Sequence, residues 1–387
     1  MLSDSIDRSV LLSTLNELIA IESINPSLVE RGSGEASVAD YIGNRLVAMG
    51  ADVTFQRFDG GRVNVIGVLR GIGGGRNLML NGHMDTVGVA GMEMDPFSPV
   101  YKDGKVFGRG AFDMKASLAA MLSVGEAVCQ SKEQLGGDLV LAFVADEEYA
   151  SRGTEELVKD FTADAAMVTE PTGLDVIISH RGFAWARIEV FGRAVHGSLY
   201  DEGVDAITKA GKILVALEQL DQSFEQAPEH PLLGRGSVHA SLIEGGTDMS
   251  TYPSTCKIKI ERRTLPNENK EFVARELSDL LSKLHNQDEG FKAESDVFFF
   301  RQGLQMDSDD EIVTQVIQSS MKSIGKHPDL VGAPWWTDAA LLFDSGIPSI
   351  LFGPSGDGAH APVEYVDFES VVQTSTVLAD VVLNFCK

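Results

Sequence analysis

The sequence predicts an α/β layer fold interrupted by a smaller α+β domain. Three observations carry this reading. Helical periodicities alternate with short, wholly apolar runs such as LVLAFV, as strands covered on both faces require. Between about 181 and 302 the pattern changes to β-α-β-β-α-β, the order of a ferredoxin-like split unit. After 302 the first pattern resumes. With 387 residues the chain also exceeds one ordinary core, since domains run to about 250 residues. The expected division is 1–180 with 303–387 as one domain, and 181–302 as the insert.

Taken in order, residues 9–22 place Val10, Leu11, Leu15, Leu18 and Ile21 on one helical face. A second helix is expected from Ser33 to Met49, through Val38, Tyr41, Ile42 and Leu46, with Gly50 as a left-handed cap. DVTFQRF, NVIGVL and NLMLNGHMD then read as strands. The GIGGG at Gly71–Gly75 reads as a flexible hairpin and not a phosphate loop, because Arg76 occupies the last glycine position of a GxGxxG. MKASLAAMLSVGEAVCQ is helical, with Leu118, Met121, Leu122 and Val128 on one face. DLVLAFVADEE and AAMVTEP are buried strands ending in acids. In the insert, FAWARIEVFG, SVHASLIEGG, STCKIKIERRTL and KAESDVFFF are strands, and VDAITKAGKILVALEQL and ENKEFVARELSDLLSKLH are helices. The layer resumes with a helix from Asp309 to Ile324, the strand IPSILFG, and a last helix from Glu369 to Phe385.

Net charge is −25, from 57 acids against 32 bases. Phosphate contacts need clustered Lys and Arg, so a general nucleic-acid binder is excluded, as is adhesion to anionic membranes. With 43% hydrophobic and 23% charged residues, the composition is that of a folded chain. Cys129, Cys256 and Cys386 lie far apart and form no CxxC, which suggests free thiols in a reducing compartment. The start, MLSDSIDRSV, has no basic region followed by an apolar one, and no run of about 18 apolar residues exists. A cytoplasmic protein is expected.

Candidate chemistry gathers at strand ends. His83 and Asp85 are two apart, and period-two geometry would point both the same way. His83 could bind metal while Asp85 holds its other N–H; a structural histidine is the plain alternative. Asp113 lies between a Gly108–Gly110 turn and a helix, where it could bridge two metals or cap the helix. Asp146, Glu147 and Glu148 end a strand; neighbours on a strand point oppositely, so the glutamates should differ in task. Three consecutive acids repel unless cations intervene. Glu170 ends another strand, and His360 lies in the glycine-rich loop GDGAHAP; alone, each reads as an ordinary surface residue. Together these positions form a histidine and carboxylate set of the zinc type.

HMDTV, GRGAFDMK, DEE, TEPT, RGF…GRAVHGS, ERRTLP and GPSGDGAHAPVEYV, in this order, resemble the M20 metallohydrolases across essentially the whole chain. That family includes acetylornithine deacetylase, succinyl-diaminopimelate desuccinylase, aminoacylase-1 and glutamate carboxypeptidase. The resemblance implies a zinc-exopeptidase-like three-layer α/β/α catalytic domain, interrupted by a lid that dimerises. It implies that Asp113 bridges two divalent ions, most simply zinc, with cobalt or manganese also accommodated. His83 and Glu170 would complete one site, and Glu148 and His360 the other. Asp85 would support His83, and Glu147 would be the general base. His196, otherwise a solvent-facing histidine, would stabilise an oxyanion in the partner subunit's site. Arg263, otherwise a surface ion-pair residue, would grip a substrate carboxylate. Glu170 stands where peptidase-like members tend to have aspartate and deacylase-like members glutamate. Ser250 stands where many members have asparagine.

The implied reaction is hydrolysis of an amide bond, foremost deacylation of an N-acyl amino acid such as acetylornithine. A dipeptidase or carboxypeptidase would use the same site. A non-catalytic metal- or peptide-binding protein would be marked by loss of Glu147 or a ligand, and all are present. A homodimer paired through a free sheet edge of the lid is expected.

Overall fold

The computed structural model describes residues 6–131 and 133–387, so residues 1–5 of the predicted non-leader start lie outside the described residues. The chain forms two compact units. One comprises 1–178, 306–331 and 337–387, and the other 179–305 and 332–336. Residues 332–336 thus join the second unit, although sequence periodicity places them in the resumed α/β layer.

From the start the elements are α1 (Arg8–Ala20), α2 (Ala36–Ala48), β1 (Asp52–Phe58), β2 (Arg62–Leu69), β3 (Leu78–His83), β4 (Val100–Lys102), β5 (Lys105–Phe107), α3 (Ala116–Gln130), β6 (Leu139–Val144), α4 (Arg152–Asp160), β7 (Ala165–Val168) and β8 (Val176–His180). Then follow β9 (Gly182–Phe191), α5 (Ala206–Ser223), β10 (Ser237–Gly245), β11 (Thr255–Thr264), α6 (Lys270–Gln287), β12 (Lys292–Arg301) and β13 (Leu304–Gln305). The chain ends with α7 (Glu311–Ile324), β14 (Leu330–Ala333), α8 (Ala339–Asp344), β15 (Ser349–Leu351), β16 (Gly356–Asp357), β17 (Tyr365–Asp367) and α9 (Phe368–Phe385).

The large sheet runs β1-β2-β6-β3-β7-β15-β8. Its centre is parallel: β6 with β3, β3 with β7, and β7 with β15. Every residue of β2, β3, β6 and β7 is buried, which is why their sequences run apolar without alternation. Parallel neighbours share one carboxyl edge, so residues following β3, β6, β7 and β15 emerge together. That edge is where ligands bind in sheets of this kind. α2 begins at Ala36, three residues later than the periodicity suggests, and Gly50 takes the left-handed conformation expected of it.

The glycine run is not a hairpin. It joins β2 to β3, yet β6 lies between those strands. Instead 71–75 crosses tightly over Gly136 and Gly137. Ile72 and Gly73 donate to the carbonyls of Leu135 and Gly136 at 2.9 and 2.8 Å. A Cβ on Gly137 would overlap the Arg76 carbonyl. The glycines thus serve close backbone approach, which a sequence window cannot separate from turn formation.

In the second unit the sheet order is β10-β11-β9-β12, all antiparallel. Its core is formed by Ala184, Ile188, Ile213, Ile258, Val273 and Leu277, among others, from the inward positions of the strands and from α5 and α6. Cys256 is buried there, on the inward side of β11. Among the described residues no helix is long and apolar enough to cross a membrane.

Overpacking costs about 1–3 kcal/mol. Gly137→Ala is therefore expected to lower stability by that amount in urea titration. Gly211→Ala, in α5 with open space around it, should leave stability unchanged or raise it by about 0.5–1 kcal/mol.

Candidate metal centre

His83 is the last residue of β3 and is buried. Its Nδ1 lies 2.9 Å from the backbone carbonyl of Asp85. A carbonyl only accepts, so Nδ1 carries a hydrogen and Nε2 is the nitrogen turned towards the carboxylates. That Nε2 faces Asp113 Oδ1 at 3.0 Å and Glu170 Oε1 at 3.6 Å. The sequence expectation that the Asp85 carboxylate holds the ring is corrected here. The carboxylate is 3.8 Å from Nδ1, and Asp85 lies beyond β3, where period-two alternation no longer applies.

The Asp85 carboxylate has another task. It accepts from the amides of Glu147 and Glu148, each at 3.2 Å, and from Asn25 Nδ2 at 2.7 Å. It therefore pins the turn that carries both glutamates. That turn starts at Asp146, whose φ is 71°, after β6 has ended. The differing directions of Glu147 and Glu148 come from this turn and not from strand alternation. Asp146 is itself structural. Its Oδ1 accepts from Arg62 Nη1 at 2.8 Å and from Asn25 Nδ2 at 3.2 Å. Arg62 also forms an ion pair with Glu35, and all three charged side chains are buried. Removing one member of such a group costs about 3–5 kcal/mol, because the others are left charged and dry.

Asp113 does not cap α3. That helix begins at Ala116, and no side-chain cap is made. A short irregular turn over Ala111–Lys115 precedes it and aims the Asp113 carboxylate at two imidazoles. Oδ1 faces His83, while Oδ2 lies 3.4 Å from His360 Nε2. His360, on an exposed loop with φ of 62°, also lies 2.9 Å from Glu148 Oε2. Two groups result, His83–Asp113–Glu170 and Asp113–Glu148–His360, each with ligand atoms within 4.8 Å of one another. Asp113 belongs to both.

The residues fit a pair of divalent cations. Glu148 Oε1 is buried and has no hydrogen-bond partner. Nitrogen and carboxylate oxygen donors of this type suit zinc, cobalt or manganese. Electrostatics point the same way. Burial raises Glu148 to about 7, with the Asp113 charge adding to it. Burial likewise raises Glu170 to about 8. Burial also lifts Glu147 well above the carboxylate range, reinforced by Glu170 and Asp338. Burial works against protonation of His83, yet the Glu170 and Asp113 charges outweigh it and raise its value. Hydrogen bonds to Asp113 and Glu148 raise His360 to about 10. Protons stand in for cations in a site crowded with acids.

Glu147 is part-buried, and among the described residues its carboxylate takes no hydrogen bond. It belongs to neither ligand group. In the second unit, exposed His196 makes an Nδ1 contact of 2.8 Å with Ser198 Oγ. Arg263 donates from Nε to Glu261 at 2.7 Å and lies over the Phe183 ring. The surface ion-pair alternative for Arg263 is therefore present. Its Nη groups take no hydrogen bond among the described residues.

Sequence reasoning missed Arg62, Glu35 and Asn25, and also Glu364, Arg109 and Asp338. Glu364 accepts from the Gly110, Phe112 and Asp113 amides. Asp338 is buried, accepts from Thr154 Oγ1 at 2.7 Å, and is raised to about 6 by burial. An acid before a short helix reads as a cap, and an arginine opening a strand reads as an edge. Only the fold reveals their burial.

The pH dependence follows in sign. Glu148 and Glu170 have folded values above their ordinary 4.5, so their contribution to stability declines as pH rises from about 4.5 to 8. The raised His360 contributes fully below 6.5 and loses that contribution as pH rises towards 10. Both act in one direction. Thermal melts in chelator should show a lower midpoint at pH 9 than at pH 6, and saturating divalent ion should remove most of the difference.

Residues 79–384 match the sequence profile described as peptidase family M20/M25/M40. An acetylornithine deacetylase of Myxococcus xanthus is 31% identical over 392 residues, covering 97% of each chain. An N-formyl-4-amino-5-aminomethyl-2-methylpyrimidine deformylase of Bacillus subtilis is 28% identical, covering 84% of each. Among solved structures, the aminopeptidase PepT of Bacillus cereus superposes with a TM-score of 0.80 at 20% identity, covering 99% of this chain and 100% of that one. That likeness bears on the fold alone. Ligand groups, fold and profile agree: the chain belongs to peptidase family M20/M25/M40, as a metallohydrolase acting on C–N bonds.

Proposed function

We propose that this hydrolase removes the acyl group of an N-acyl amino acid, with Glu147 as general base. The observation that carries the reading is the state of Glu147. Its backbone is fixed to Asp85, while its carboxylate stands free of both ligand groups and holds a proton readily. A base that must accept and then return a proton needs that freedom and a raised value.

His83, Asp113 and Glu170 would hold one ion, and Asp113, Glu148 and His360 the other, zinc being the proposed metal. When bound, the ions supply Lewis acidity to the scissile carbonyl and to a water beside it. Glu147 takes a proton from that water as its oxygen bonds to the carbonyl carbon. It then delivers the proton to the amide nitrogen as the C–N bond breaks. The products are a carboxylic acid and a free amine. His196 would donate to the developing oxyanion in the partner subunit's site, and the free Nη groups of Arg263 would hold the substrate carboxylate as a planar fork. Support for acyl substrates comes from Glu170 and from the deacetylase and deformylase relatives.

A homodimer through the second unit is part of this reading. β10 lies at the edge of its sheet, with Leu242 and Ile243 exposed. An unpaired apolar edge favours pairing with another copy. The three free cysteines suit a reducing cytoplasm.

Glu147→Gln should retain two ions per chain and lose about 10²–10⁴-fold in kcat. The metal-loaded protein should hydrolyse N-acetyl or N-formyl amino acids with higher kcat/KM than dipeptides. Unchanged turnover in the variant removes Glu147 from the role. A preference for dipeptides replaces the deacylase with a dipeptidase.

A further inference from the structure

Glu364 lies four residues beyond His360, and its carboxylate is buried. It is saturated with donors from a single stretch of chain. Oε2 accepts from Arg109 Nη1 at 2.6 Å and from the Gly110 amide at 3.0 Å. Oε1 accepts from the amides of Phe112 and Asp113 at 2.9 and 3.1 Å. All four donors belong to 109–113, the turn that delivers Asp113. Arg109 closes the arrangement by donating from Nη2 to the Ala361 carbonyl at 3.3 Å, next to His360. The Gly108 amide reaches the Glu364 carbonyl at 3.3 Å.

The two ion positions are supported differently. His83 ends β3 and Glu170 follows β7, and these strands are hydrogen-bonded neighbours in the buried sheet. Glu148 is fixed through its amide to Asp85. Among the described residues the His360 backbone makes no such bond; the residue is exposed and sits on a loop. β17 pairs antiparallel with β5, Tyr365 opposite Phe107, and so fixes the far end of this loop. The Glu93 amide holds the Pro362 carbonyl at 3.1 Å. Between that ladder and His360, Glu364 with Arg109 ties the loop to 109–113. We propose that Glu364, through Arg109 and the Ala361 carbonyl, is a positioning residue that weighs more heavily on the second ion, the one held by Asp113, Glu148 and His360, than on the first.

The proposal rests on the two-ion reading of the site. Glutamine at 364 would keep one acceptor for two amides but present an NH₂ group to Arg109 and Gly110, which are themselves donors. Outer partners of metal ligands are typically worth about 10–100-fold in affinity. In calorimetric titration of the metal-free full chain with zinc, Glu364→Gln should weaken the second ion by about that factor and the first by no more than about threefold. Loaded with two equivalents of cobalt, the parent should show spin coupling between neighbouring ions, and the variant at limiting cobalt should show an isolated ion. In a His360→Ala background, which lacks the second position, adding Glu364→Gln should change the remaining affinity little. Arg109→Lys is the milder variant. It keeps a cation beside Oε2 but loses the reach to Ala361, and it should give a smaller loss confined to the second ion.

Equal weakening of both ions, or unchanged affinity and coupling in Glu364→Gln, overturns the proposal. Should Glu364→Gln not fold, the same outcomes in Arg109→Lys overturn it. A parent that binds fewer than two ions overturns the two-ion reading and this proposal together. A parent with two ions and a variant weakened equally at both overturns this proposal alone.

Discussion

Burial of several carboxylates side by side around Asp113 is the constraint on which the rest of the first unit depends. Glu147, Glu148 and Glu170 all hold their protons above the ordinary carboxylate range, with burial as the main cause. Asp113 alone is held low, because hydrogen bonds from His360 and His83 outweigh its burial. Such a cluster is unfavourable unless protons or cations fill it. The fold accepts that cost at one edge of one sheet. Divalent ions would relieve it, and the same relief would couple metal loading to stability and to pH.

The scaffold meets this constraint by tying the ligand-bearing segments with further charged groups. Arg62 neutralises Asp146 and Glu35 beneath the acidic turn. Asp85 converts its own charge into two amide hydrogen bonds that fix Glu147 and Glu148. Glu364 does the same for the turn of Asp113, with Arg109 as its counter-ion. In the last two cases an acid is satisfied by backbone N–H groups, so position is fixed without adding an exposed charge. The parallel centre of the sheet supplies the common edge. These are the supports by which a site is held to a narrow geometry.

Much of this was legible in the sequence, and the limits have physical causes. His83, Glu148 and Glu170 stood out because polar residues follow apolar runs, Asp113 and His360 because they lie in glycine-rich turns. The family resemblance joined the five as ligands, and the structure brings them together. The α/β layer was legible from the same apolar runs. Strand alternation failed for Asp85, Glu147 and Glu148, since each lies past the end of its strand, where turn geometry decides direction. The glycine run was misread because glycine serves turns and close crossings alike, and only strand order separates them. Glu364, Arg62 and Asp338 were invisible because burial of a charge depends on partners distant in the chain: Arg109 and Glu364 are 255 residues apart.

The shared carboxylate of Asp113 is the claim on which the account turns, and ion content measures it most directly. The metal-free protein and Asp113→Ala should be dialysed against equal zinc and assayed for bound metal per folded chain. Two ions are expected in the parent, with loss of tight binding at both positions in the variant. Two ions held by Asp113→Ala as firmly as by the parent would contradict that claim.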